Sequence, residues 1–364
     1  MVSKISEENI HITVPEGVFY NPEMEFCRDI CSLAVGAIGS KVSLLDAMCA
    51  SGVRGMRYKK ENKNVAKLTL LDLSSKAVSC ARKNAKANKV KCGCVKADAR
   101  IFMHKNEFDF VELDPFGSPV PFLNDACRSF RTKKRGYLSV TATDMAVLCG
   151  AHHAACLKNY GAAPLDNEFC HENAARILIG KTILAAAPEN LSAKPVFTLS
   201  HLHYVKVIFE VSQGAKEAVE SVKKTGFVSY CPACCYRENA RLPRKQACPH
   251  CGHQLEHAGP LYLGELWDAE LLGKMLKLNV LRSYRKKKEI GKTLSTQLSE
   301  SRIPSYGYYD LHTLAKKRKT AIMSIDGALE AIRKAGFAAA RTHFCPTAVR
   351  TGAPHEAVLK ALGK

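Results

Sequence analysis

The sequence predicts an α/β fold, a mostly parallel sheet with helices on both faces, followed by a smaller, strongly basic α+β domain. Three observations point there. Strand-like and helix-like segments alternate across residues 42–211. Two β-rich runs, residues 196–202 and 204–211, are separated only by His203, which is too short for a crossover helix, so they should pair antiparallel. Past Gln213-Gly214 the alternation stops and a cysteine- and proline-rich stretch begins, dividing the chain into residues 1–213 and 214–364.

The elements follow in order. Val42-Ser43-Leu44-Leu45-Asp46-Ala47 is an apolar strand, and the turn Cys49-Ala50-Ser51-Gly52-Val53-Arg54-Gly55 follows it. Gly52 and Gly55 there let the backbone approach a ligand closely. Lys67-Leu68-Thr69-Leu70-Leu71-Asp72 is a second strand, and residues 76–88 carry Ala77, Val78, Ala81 and Ala85 at helical spacing. A third short strand near residues 90–95 leads to Ala97-Asp98-Ala99. The fourth, Phe108-Asp109-Phe110-Val111-Glu112-Leu113, ends at Asp114, and residues 136–143 form a fifth. Residues 265–293 read as one long amphipathic helix, with Arg285-Lys286-Lys287-Lys288 near its far end. Two or three shorter helices are expected within 305–362.

Composition narrows the partners. The 364 residues carry a net charge of +20 and 46% hydrophobic content, enough for two or three cored domains. Residues 214–364 hold 26 Lys and Arg against 13 Asp and Glu, while residues 1–213 hold 28 against 21. A basic surface of that size favours a polyanion, and nucleic acid is the expected partner. Sixteen cysteines fall well below the density of a disulfide scaffold. With no leader-like start and no long apolar run, a cytoplasmic protein without a membrane partner is expected, its thiols reduced and some free to hold a metal.

Acids stand at the ends of successive strands: Asp46, Asp72, Asp98 and Asp114. A carboxylate after the second strand can hold the hydroxyls of a ribose, and Asp98 with the amide of Ala99 can read an adenine. The turn lacks the G-x-G-x-x-G of a dinucleotide site, which argues against an NAD-dependent oxidoreductase. Asp114-Pro115-Phe116-Gly117 is a site of the kind used by enzymes that methylate the exocyclic amines of nucleobases, whose pattern is [DN]-P-[PF]-[YFW]; it matches the first three positions and has Gly117 at the fourth. In it Asp114 accepts a hydrogen bond, Pro115 stiffens the turn and Phe116 offers a face to a base. A parallel sheet closed by one antiparallel hairpin is also the layout of class I methyltransferases.

Cys231-Pro232-Ala233-Cys234 and Cys248-Pro249-His250-Cys251 lie thirteen residues apart within a ribbon at about 228–256. Two such knuckles complete a closed, structural zinc site; the symmetric four cysteines are the simplest ligand set, with Cys235 in place of Cys234, or His250 or His253, as alternatives. His152, His153, His171 and His203, near Cys149, Cys156 and Cys170, match no metal-binding spacing. They read as core or substrate-pocket residues, with His171-Glu172 a candidate lining for a base.

These segments together resemble the tRNA (guanine-N2-)-dimethyltransferases, which act on guanosine 26 between the D and anticodon stems. The resemblance runs through Phe19-Tyr20-Asn21-Pro22 with Arg28-Asp29, Asp46-Ala47 to Tyr58, and Asp114-Pro115-Phe116-Gly117-Ser118-Pro119. It continues through Val140-Thr141-Ala142-Thr143-Asp144, Leu148-Cys149-Gly150-Ala151-His152, Cys170-His171-Glu172 and Pro346-Thr347-Ala348-Val349-Arg350-Thr351. This chain departs at Cys49 and Ser51, where the family usually has Ser and Thr, and at Leu71, where it usually has Asn. The resemblance implies a seven-stranded, Rossmann-like class I sheet, S-adenosylmethionine as methyl donor and tRNA as substrate; a monomer is the expected state, with the oligomeric state left open by the sequence. It implies donor contacts from Arg28, Arg54 or Arg57, Asp72, Asp98 and Ala99. Two rivals remain: an amino-methyltransferase for another RNA or DNA base, and a zinc-ribbon RNA-binding protein without activity.

Overall fold

The computed structural model describes residues 2–243 and 246–362. It opens on a hairpin, β1 (Val2–Glu7) and β2 (Ile10–Pro15), in which Ile5 faces Ile12. The sequence reading has no strand here, because β1 offers only Val2 and Ile5 as apolar residues. Helix α1 (Glu25–Ile38) follows and is buried along most of its length.

The sheet is then built by alternation: β3 (Val42–Asp46), α2 (Val53–Glu61), β4 (Val65–Asp72), α3 (Ser75–Ala87), β5 (Gly93–Lys96), α4 (Ala99–Lys105) and β6 (Phe110–Leu113). After these come α5 (Val120–Arg128), β7 (Arg135–Ala142), the single turn α6 (Met145–Leu148), α7 (His153–Tyr160) and α8 (Cys170–Ala186). The hairpin β8 (Leu191–His201) and β9 (Tyr204–Gln213) closes the unit, and α9 (Ala215–Lys223) packs back on β8 and α8. Strand order is β5-β4-β3-β6-β7-β9-β8, and β9 pairs antiparallel with both neighbours. This is the seven-stranded class I layout. Its crossover point lies between β3 and β6, where open sheets bind ligands beyond the strands' carboxyl ends. Asn84 of α3 and Asn88, which caps its C-terminus, satisfy backbone groups of β2, accepting from Thr13 N–H at 2.9 Å and His11 N–H at 2.8 Å.

Beyond the sheet, β10 (Thr225–Tyr230), β11 (Arg237–Ala240) and β12 (Glu256–Tyr262) form a three-stranded sheet in the order β11-β10-β12. The expected long helix is two, α10 (Ala269–Leu281) and α11 (Lys287–Glu300). The break has tertiary causes. Arg282 is extended and donates to Asn62 Oδ1 at 2.8 Å, and the buried Tyr284 donates to Glu61 at 2.6 Å. These anchors pull the connecting residues onto α2, and Asn279 bridges to the Lys287 carbonyl at 3.0 Å. The basic run thus opens α11, and Arg285 reaches the carbonyl of Ser6 at 3.1 Å.

The remaining elements are β13 (Tyr309–Asp310), α12 (Leu311–Arg318), α13 (Ile325–Lys334), β14 (Ala339–Arg341), β15 (Ala348–Thr351) and α14 (His355–Leu362). One hydrophobic core runs from the large sheet into these C-terminal elements, while Cys231, Cys248 and Leu255 form a small separate cluster. A buried ion network joins α8 to these C-terminal elements. Arg350 meets Glu172 at 2.5 Å and Glu300 at 3.0 Å, and Glu172 also holds Arg176 at 2.8 Å.

Candidate active site

The first turn after β3 is shaped by packing. Gly52 has φ +80°, and a Cβ on Gly55 would come within 2.6 Å of Leu70 Cδ2. Glycine here brings α2 against β4 and leaves the turn's N–H groups near the strand ends. Asp46 accepts from Gly55 N–H at 3.0 Å, and burial pushes its carboxyl up to about 7 against the pull of Arg54. Asp72 is half-buried and accepts from Ala50 and Ser74 N–H, both at 2.9 Å. Asp98 caps α4 through Arg100 N–H at 2.8 Å and pairs with the Arg100 guanidinium, which holds its carboxyl below the usual range. Ala99 follows it, buried. A carboxylate has about four lone-pair directions, so Asp72 and Asp98 keep acceptor capacity toward a ligand.

Asp114 stands just past β6. Arg54 donates to its Oδ2 at 2.5 Å, and beneath them lies Glu112, fully buried. Glu112 meets the buried ammonium of Lys206 and the Tyr58 hydroxyl, while Lys206 also donates to Thr141 Oγ1 at 2.9 Å. Two cations therefore balance two carboxylates. Burial opposes the charge on Asp114, but Arg54 and Lys206 outweigh it and hold its carboxyl below the usual range. Asp114 is thus an ionised acceptor.

The turn that carries it is sewn to the loop after β7. Gly117, at φ +72°, donates to Thr143 Oγ1 at 2.8 Å, and Ser118 Oγ donates to Tyr160 at 3.0 Å. Tyr160 in turn donates to Asp144 at 2.8 Å. Phe116 projects outward, 75% exposed, and meets the half-exposed Phe19 edge to face with centroids 4.6 Å apart. Two large rings left in water beside an ionised carboxylate form a surface suited to a nucleobase.

The other arginines separate. Arg28 is buried and grips Glu7 through two nitrogens at 2.7 and 2.5 Å. Arg57 is sealed inside, paired with Glu7, Asp29 and Glu61 at 2.8, 2.6 and 2.7 Å. Of the alternatives Arg54 and Arg57, only Arg54 touches Asp114. Glu172 does not line a base pocket, because it is fully buried among α8, α11 and β15, where Arg350 and Arg176 overcome burial and lower its carboxyl to about 2. His152, His153 and His203 are exposed, so they are not core residues. Sequence reasoning missed Glu112 and Lys206, although a charge inside each of two otherwise apolar strands was the available signal. It also missed Glu7, for which one acid in a polar run gave none.

In the ribbon the four thiols converge. Cys231 and Cys251 sulfurs lie 3.5 Å apart, and Cys234 and Cys248 sulfurs 3.6 Å apart. Each knuckle closes on backbone bonds, Cys235 N–H to Cys231 O and Gly252 N–H to Cys248 O, both at 2.9 Å. These spacings fit the edges of a tetrahedron with metal–sulfur bonds of about 2.3 Å.

Fold and site define a class I methyltransferase arrangement joined to a cysteine ribbon. The chain belongs to the family of N2,N2-dimethylguanosine tRNA methyltransferases, which matches residues 1–363. It is 36% identical to the tRNA (guanine(26)-N(2)/guanine(27)-N(2))-dimethyltransferase of Aquifex aeolicus, covering 99% of this chain and 94% of that one. It is 34% identical to the tRNA (guanine(26)-N(2))-dimethyltransferase of Methanothermobacter thermautotrophicus, covering 96% and 95%. The structure of Trm1 from Pyrococcus horikoshii with S-adenosyl-L-methionine superposes at a TM-score of 0.90 over 99% of both chains, with 32% identity. Among the described residues, no helix is long and apolar enough to cross a membrane.

Proposed function

We propose that this protein transfers methyl groups from S-adenosylmethionine to the exocyclic N2 of guanosine 26 in tRNA. The observation that carries the reading is the ionised Asp114, held by Arg54 beside the exposed rings of Phe116 and Phe19. When bound, S-adenosylmethionine supplies an electrophilic methyl on its sulfonium. Asp72 and Asp98, with Ala99, are assigned to its ribose and adenine, Arg28 and Arg54 to its remaining polar groups, and Asp46 and Gly52 to the shape of the turn around it.

The guanine amine is a weak nucleophile because its lone pair is delocalised into the ring. Asp114 accepts a hydrogen bond from one N–H, the carbonyl of Pro115 accepts from the other, and the lone pair is localised for attack. As the N–C bond forms, the methyl–sulfur bond would break to leave the neutral thioether S-adenosylhomocysteine, and the amine proton passes to Asp114 or to water. Positioning supplies most of the acceleration, and the fixed carboxylate adds electrostatic stabilisation. A base inside folded tRNA must be flipped out to reach the site, and stacking on Phe116 and Phe19 offsets about 1–3 kcal/mol of that cost.

Residues 1–213 are assigned to methyl transfer and the basic residues 214–364 to clamping tRNA through its phosphates. Cys231, Cys234, Cys248 and Cys251 are assigned a structural zinc ion, supported by their converging sulfurs. The test uses labelled S-adenosylmethionine and two tRNA transcripts, with guanosine or adenosine at position 26, digested and resolved by mass. Label confined to the first, as N2-methyl- or N2,N2-dimethylguanosine, is expected. Equal labelling of both would overturn the position, and no labelling would overturn the activity.

A further inference from the structure

Cys149, Cys170 and His171 come together from two places in the chain. Cys149 closes α6, and Cys170 with His171 opens the 17-residue helix α8. Their two sulfurs and one imidazole nitrogen all lie within 4.8 Å of one another, and each residue is half-buried. In a tetrahedron, bonds of about 2.3 Å to sulfur and 2.0–2.1 Å to nitrogen separate the ligand atoms by roughly 3.3–3.8 Å, so modest side-chain rotation brings all three onto one ion. The His171 ring makes no hydrogen bond among the described residues, so no protein group competes for its ring nitrogens. The three belong neither to the row of strand-end acids nor to the ribbon.

We propose that Cys149, Cys170 and His171 bind one thiophilic divalent cation of the zinc class, through two thiolates and one imidazole, with the fourth position open to water. Soft sulfur with imidazole selects such an ion over magnesium or calcium. The two thiols release their protons to solvent on binding. Half-burial leaves room for water as the fourth ligand, which a closed four-cysteine ribbon does not.

The place gives the ion a role. Cys149 lies one turn beyond Asp144, which accepts from Tyr160, and Tyr160 accepts from Ser118 in the turn that carries Asp114. On the other side, Glu172, next to His171, is fixed by Arg350 of β15. A cation bridging Cys149 to α8 therefore ties the wall of the substrate cleft to the rigid part of the molecule. Its role is to hold the loop, and it takes no part in the methyl transfer.

Full-length protein, kept reduced with a phosphine and exchanged into cobalt(II), tests this. The wild type is expected to hold two tightly bound cobalt ions with thiolate charge-transfer absorption. Cys149→Ser, Cys170→Ser and His171→Gln should each lose one equivalent while the ribbon's bands persist. Equal stoichiometry in the wild type and all three variants would overturn the proposal. Zinc-edge X-ray absorption of the wild type needs no variant: a mixed sulfur and nitrogen shell supports the site, and a shell of sulfur alone refutes it.

Discussion

Arg54 Nη2 lies 2.5 Å from Asp114 Oδ2, and the pair caps a buried stack of opposite charges that continues through Glu112 to Lys206. The stack sits where β3, β6, β7 and β9 run side by side, so the sheet fixes the spacing of its members. Its effect is to keep a carboxylate charged at a site where burial alone would favour the protonated form.

The first prediction follows from that charge. Asp114→Asn keeps the shape but removes the negative charge and the basic carboxylate, so kcat should fall by about 10²–10⁴ while tRNA affinity is retained. Single-turnover methylation beside filter binding separates the two. Arg54→Lys should lower kcat less, because an ammonium keeps the charge but loses the planar fork. Near-normal turnover in the Asn variant would remove Asp114 from the chemistry.

The lower half of the stack makes a stability prediction. Lys206→Met alone strands Glu112 in the interior, as Glu112→Gln alone strands Lys206. Each should cost about 3–5 kcal/mol, whereas the double variant should recover a good part of that loss. Urea denaturation of the three variants measures it, and simple additivity of the single costs would contradict the pairing.

How far this was legible from sequence depends on the range of the interaction. The strand-end acids Asp46, Asp72, Asp98 and Asp114 could be read because β-α-β alternation puts every such residue at one edge of the sheet. The ribbon could be read because its ligand spacing is local. The Glu112–Lys206 pair joins residues 94 positions apart, and no local pattern encodes it. The break between α10 and α11 was hidden for the same reason, since Tyr284 is anchored by Glu61 across the fold. Cys149 and Cys170 lie twenty-one positions apart with no metal spacing, and only the packing of α6 against α8 unites them.

Tyr160 gives a third prediction. Its hydroxyl joins Ser118 to Asp144, so Tyr160→Phe frees the turn that carries Asp114 and Phe116 without removing the ring from the core. The lost bonds cost about 1 kcal/mol of stability. Because the turn must be held for attack, kcat should fall more than KM rises. Steady-state kinetics resolves the split, and a change in KM alone would mean that the hydroxyl only supports binding.

The fourth prediction concerns acid. The ordinary glutamate value is 4.5, and Arg350 and Arg176 lower Glu172 to about 2 despite its burial. A depressed carboxyl binds its proton more weakly in the folded state. Its stabilisation is therefore complete above pH 4.5 and is lost as pH falls toward 2. The shift corresponds to about 3 kcal/mol at neutral pH. Because Glu172 joins α8 to β15 and α11 through Arg350 and Glu300, the loss should loosen the packing of α8 against β15 and α11. Urea midpoints of the wild type and Glu172→Gln should differ most at pH 7 and converge as pH drops below 4.5. A gap that stays constant across that range would show that Glu172 contributes through shape rather than charge.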